Sequence, residues 1–87
     1  MHTDEYEISL SREITLCRNR VRQLKKALER REKQCGMTTA AFLQTLQARG
    51  VTAQPALQGW SREYQELQYW QKMLAEYEAA RESLKWL

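Results

Sequence analysis

The sequence predicts an all-α fold: an antiparallel, coiled-coil-like hairpin of two long helices with a short helix in the connection, three helices in total. Three observations carry this. The chain is rich in Gln, Glu, Arg, Leu and Ala, with three Gly and one Pro in 87 residues, a balance that favours helix over sheet. Apolar side chains near both ends recur at alternating steps of three and four, the spacing of a helix–helix seam. Between them "KQCGMTTAAFLQ", residues 33–44, carries the signals of a helix stop followed at once by a helix start. Eighty-seven residues make one domain, 1–87, whose own core is modest for its surface.

The first helix is predicted over about residues 4–35. Leu10, Ile14, Cys17, Val21, Leu24, Leu28, Arg31 and Cys35 form its seam, apolar or thiol at every position but Arg31. Thr3 or Asp4 is a suitable N-cap, and Glu5 and Glu7 suit the positive end of the helix dipole. Ile8 and Leu16 lie off the seam and widen the apolar face at this end. The interruption is chemically specific. Gly36 can adopt the left-handed backbone that closes a helix. Thr38 fits an N-cap, which makes Met37 and Phe42 the two positions of a hydrophobic staple. A short helix follows over about 39–49, with Phe42, Leu43 and Leu46 inward and Gly50 as its stop. In "VTAQPALQG", residues 51–59, Pro55 is acceptable as a first helical residue, but Gly59 argues that regular helix starts only near Trp60.

The last helix is predicted over about 60–86. Its seam runs Trp60, Glu63, Leu67, Trp70, Leu74, Tyr77, Arg81, Leu84. Folded back antiparallel, it pairs Cys35 with Trp60, Arg31 with Glu63, Leu28 with Leu67, Leu24 with Trp70, Val21 with Leu74 and Cys17 with Tyr77. The basic exception on one seam thus falls opposite an acidic exception on the other. Such a pair stabilises little but disfavours slipped registers. Tyr69, Met73, Ala80 and Leu87 form a neighbouring apolar line, with Trp86 at the same end. The short helix can cover only the end nearest the connection, so the aromatic side of the last helix is left for a partner. The candidate partner-binding residues are therefore Trp60, Tyr69, Trp70, Met73, Tyr77 and Trp86.

Charge is uneven. Between Arg18 and Lys33 there are eight bases and two acids, a local +6 in a chain of net +3. Arg18, Arg22, Lys25, Lys26 and Arg30 form the candidate basic patch. It suits an acidic protein surface or, alternatively, nucleic acid, whose binding would weaken steeply with salt. The bases sit on the first helix and the aromatics on the last, unlike the interleaving expected for single-strand binding. Cys17 and Cys35 lie 18 residues apart on one helix, about 27 Å at 1.5 Å per residue, too far for a disulfide between them. The reading is two buried thiols in a reducing compartment.

No catalytic or ligand constellation is legible. The one His is at position 2, and no Cys/His/Asp/Glu cluster has metal-ligand spacing. Gly-rich phosphate loops, G-x-S-x-G and H-E-x-x-H are absent. All-helical chorismate mutases share the long–short–long helix order, but "SREITLCRNRVRQLKK" lacks their I-D-x-I-D pattern. The expectation is a protein that is not an enzyme, with no catalytic residues, metal, cofactor or small-molecule substrate. No apolar run approaches the roughly 18 residues of a membrane span. The acidic, h-region-free start is not a signal peptide, so a cytoplasmic location is expected.

Gly36, Met37, Thr38, Phe42, Gly50, Trp60, Tyr64 and Tyr69 resemble a group of small, uncharacterised prokaryotic helical proteins. Their centre runs G-M-[ST]-x-x-x-F, followed by a Gly and a Trp-initiated, Tyr-rich last helix. Some are encoded beside toxin-like partners, so the resemblance implies an antitoxin-like, partner-binding role. The group carries acidic residues after the Ser/Thr and after the Gly, where this chain has Ala40, Ala41 and Val51. The functional expectation is a non-catalytic protein–protein interaction module, antitoxin-like or self-associating as a dimer, with nucleic-acid binding through the basic face as the alternative.

Overall fold

A computed structural model of the chain describes residues 2–49 and 55–85. It is all-α: α1 (His2–Cys35), α2 (Thr39–Arg49) and α3 (Pro55–Leu84). The two long helices form an antiparallel hairpin and α2 lies in the connection. At 1.5 Å per residue α1 spans about 51 Å, close to the full long axis of 54 Å in a body 54 × 21 × 18 Å across. The radius of gyration is 17.3 Å, against about 12 Å for a compact chain of this length. The molecule is a rod with a large surface for its core.

The reversal is built from backbone chemistry. Gly36 has φ +67°, the left-handed conformation that a Cβ would penalise. Its N–H and that of Met37 both donate to the Glu32 carbonyl, at 2.9 and 3.3 Å, so the bond from Met37 closes the Schellman turn. Thr38 then caps α2: its Oγ1 accepts the Ala41 N–H at 3.1 Å, and its carbonyl accepts the first helical bond, from Phe42 at 3.0 Å. Glu32 Oε2 accepts the Thr39 N–H at 2.7 Å. A carboxylate from α1 thus satisfies an orphan donor of α2 and supports the positive end of its dipole.

The ion pairs set the register. Arg31 grips Glu63 with two bonds, Nε to Oε2 at 2.8 Å and Nη2 to Oε1 at 2.9 Å. Arg18 lies 3.4 Å from Glu78, so chain levels that approach the connection on α1 recede from it on α3. Val21, Leu24, Leu28, Phe42, Trp60 and Leu67 form one buried cluster, with Leu43, Leu46, Leu57, Tyr64 and Trp70 packed against it. Phe42 and Trp60 stack with ring centroids 4.1 Å apart and planes at 3°. The Trp60 indole N–H donates to Thr39 Oγ1 at 3.0 Å, which satisfies its one polar group inside the core.

Three expectations are corrected. α3 starts at Pro55, not near Trp60. Gly59 is a helical residue, and the space a side chain would fill there is taken by Arg31, whose Nη2 would lie 2.9 Å from an added Cβ. That Gly marks close approach of a neighbouring side chain, not a helix end. α1 is already helical at His2, so Thr3 and Asp4 are inside its first turn and neither is the N-cap. Cys35 is exposed while Cys17 is buried: Cys35 is the last residue of α1, beside the Gly36 turn where the chain leaves the seam. Gly50, Trp86 and Leu87 lie outside the described residues.

Candidate interaction surface

The two ends of the rod are finished differently. Near the connection α2 docks on the core through Phe42, and Leu43 and Leu46 of α2 line a groove with Leu57 and Tyr64 of α3. Helical phase puts Tyr69, Met73 and Ala80 on the opposite flank. There, among the described residues, no third helix lies over them. Tyr69 is 55% exposed and meets Trp70 edge-on, centroids 5.3 Å apart at 81°. Trp70, Met73, Tyr77 and Ala80 are half-buried. The same phase argument places Leu16 of α1 on this side, and Leu16 is 60% exposed. The flank is bordered toward the connection by the Arg20–Glu66 pair at 2.8 Å.

The six predicted partner-binding residues thus divide. Tyr69, Trp70, Met73 and Tyr77 come together on one flank and its edge. Trp60 sits in the core at 1% exposure, too deep for a partner to reach, and Trp86 lies outside the described residues. The Tyr77 phenol is pushed above its usual range, first by burial and then by the Glu13 carboxylate across the seam. It stays protonated and available as a donor at neutral pH. Burial, with Glu13 adding, likewise pushes the Cys17 thiol up, so Cys17 behaves as a small apolar seam residue.

The basic patch is also sorted. Arg18, Arg20 and Arg31 reach α3 carboxylates. Arg22, Lys26, Arg30 and Lys33 are exposed and share the outer face of α1 at steps of four, four and three. None of these four has a carboxylate in ion-pairing distance among the described residues. Lys25 is exposed on the flank of that face. Of the predicted patch, Arg18 is therefore drawn off by Glu78, and Lys33, absent from it, completes the stripe.

Sequence reasoning missed Thr39 and Glu32. Thr39 is a buried polar residue whose hydroxyl serves Trp60. The signal was a second Thr following a good N-cap, with a Trp on the far seam that needs an acceptor. Leu16 and Ile8, expected off the seam as a widening of the apolar face, are both exposed and border a shallow groove along α1. Among the described residues no group of three His, Cys, Asp or Glu is placed to hold a metal, and no helix is long and apolar enough to cross a membrane. No family model, curated protein or solved structure matches the chain. The functional reading therefore rests on its own surfaces.

Proposed function

We propose that this protein is a non-catalytic protein–protein interaction module, and that the first protein it binds is a second copy of itself. The observation that supports the reading is the uncovered flank: exposed Tyr69 and Leu16 beside half-buried Trp70, Met73, Tyr77 and Ala80. Aromatic and Met side chains are the types enriched where proteins dock. Two amphipathic hairpins packed flank to flank make a four-helix bundle, in which each hairpin supplies the missing layer of the other. The heights of the residues along the rod favour a symmetric pairing. The antiparallel register places Leu16 level with residues 78–79 of α3, and Met73 lies midway between that level and Tyr69. A two-fold axis at Met73 therefore brings Leu16 of one copy to the height of Tyr69 of the other. The antitoxin-like role implied by the G-M-T-x-x-x-F resemblance is one form such a module takes, with the same flank holding a toxin-like partner.

Sedimentation velocity over a concentration series tests this. The expected result is a dimer that Tyr69→Lys, Met73→Lys and Leu16→Lys each shift toward monomer while circular dichroism keeps its helical signal. A wild-type chain that stays monomeric at its highest soluble concentration contradicts the self-pairing, as does a dimer indifferent to all three substitutions.

A further inference from the structure

We infer that the outer face of α1 is a second, separate site, which binds the phosphate backbone of duplex DNA. The stripe Arg22, Lys26, Arg30 and Lys33 is exposed along the helix, its charged groups rising about 6 Å per four-residue step. Like charges four apart weaken a helix, and Glu29, three residues after Lys26 and four before Lys33, is the one acid set among these cations on the exposed face. The fold does own carboxylates that relieve such charge, and it spends Glu63, Glu66 and Glu78 on Arg31, Arg20 and Arg18. Among the described residues none of the outer four reaches a carboxylate within ion-pair distance; Arg30 feels the charge of Glu63 and Glu29 shares their face, which leaves the stripe a net excess of positive charge. Asn19 and Gln23 are exposed on the same face, adding uncharged donors of the kind that also reach phosphate oxygens.

The chemistry of the stripe selects its partner. A protein surface that binds tightly has a desolvated apolar or aromatic centre, and from Asn19 to Lys33 this face presents only charged and amide side chains. Protein–DNA interfaces are polar and strongly positive, and neutralising phosphates releases condensed counterions. Without an aromatic among the cations the face has no platform for stacking unpaired bases, which favours a duplex over a single strand. The outer surface of α1 faces away from α3 and from the Tyr69 flank, so this inference is independent of the self-pairing proposed above.

The test is fluorescence anisotropy with a labelled mixed-sequence DNA duplex of about two helical turns, in a series of salt concentrations. With four cations engaged, log K against log salt is expected to fall with a slope of about −3 to −4. The triple variant Arg22→Gln/Lys26→Gln/Arg30→Gln should lose at least about tenfold in affinity and flatten the slope by about 3. Lys33 is kept because it sits in the last turn and serves the helix end. The control is Arg62→Gln/Lys72→Gln/Lys85→Gln, which removes the same charge from exposed positions elsewhere and should stay within about threefold of wild type. Circular dichroism confirms that both triples fold. The inference is overturned if wild type fails to bind, or if the two triples weaken equally, since net charge alone then explains the binding. It is also overturned if poly-glutamate binds the stripe as tightly as the duplex at equal salt, which assigns the face to an acidic protein. Dimer variants that still bind DNA show that the two sites stand apart.

Discussion

The connection end and the open end of this hairpin use the same two helices and finish them differently. At the connection a third helix lies against the core, Phe42 stacks on Trp60, and the Thr39 and Ala41 N–H groups and the Trp60 indole N–H each have a side-chain acceptor. At the open end, among the described residues, α1 and α3 meet without a third helix. There α1 is well covered, with Leu10, Ile14 and Cys17 at 5, 1 and 1% exposure, while Leu74, Tyr77 and Leu84 of α3 remain half-buried. Leu74 and Leu84 are no larger than Leu10 and Ile14; their helical phase leaves one side of each turned to water, with no third helix over it among the described residues. The leftover apolar surface is shared between the helices: α1 leaves Ile8 and Leu16 exposed and α3 leaves Tyr69 exposed.

The largest effect expected from this contrast is at Trp60. Trp60→Ala removes the stack and strands Thr39, and should cost about 3–5 kcal/mol in chemical denaturation, enough to leave so small a domain largely unfolded. Ile14→Ala cuts the open end and should cost less, about 2 kcal/mol, because its half-buried neighbours on α3 can move in. Equal costs would erase the distinction between the ends. Thr39→Val keeps the shape of the core but leaves the Trp60 N–H without its acceptor, an expected loss of about 1–3 kcal/mol.

Glu63→Gln should cost about 1 kcal/mol at neutral pH, and it changes the pH profile in a definite direction. The bond from Arg31 holds the Glu63 carboxyl below its usual range, against the opposing pull of burial. The stabilisation is therefore complete above the unfolded carboxylate value, about 4.3, and is lost as pH falls through the lower folded value. Denaturation midpoints measured from neutral to acid pH should fall more steeply in wild type than in Glu63→Gln. The smallest effect is expected at Gly59→Ala. Helix propensity favours Ala by up to about 1 kcal/mol, but the new Cβ crowds Arg31 and loosens its grip on Glu63, leaving a net change within about 0.5 kcal/mol. In the Glu63→Gln background the same substitution should stabilise, and a double-mutant cycle reads the coupling.

The architecture was legible because periodicity and backbone chemistry agree. Two seams read separately met with Arg31 opposite Glu63, and Gly36–Met37–Thr38 carries stop and cap in consecutive residues. Less was legible where a residue's role depends on a neighbour distant in sequence. Gly59 reads locally as a helix breaker, and only the packed Arg31 shows it to be a clearance. Trp60 reads as an interface aromatic until Phe42 and Thr39 enclose it. The basic run reads as one patch until three α3 glutamates divide it into a paired flank and an unpaired outer stripe. Cys35 follows the seam in sequence, but it ends α1 beside the Gly36 turn and is exposed.

The most direct test of the unequal ends is amide hydrogen exchange, measured residue by residue at low and high protein concentration. At low concentration residues 73–84 of α3 should exchange faster than residues 60–70, which lie under α2 or beside it. At high concentration the slow exchange should spread along 73–84 as a second copy covers the flank. Uniform protection along α3 at both concentrations would contradict the account, because the open end would then be complete on its own.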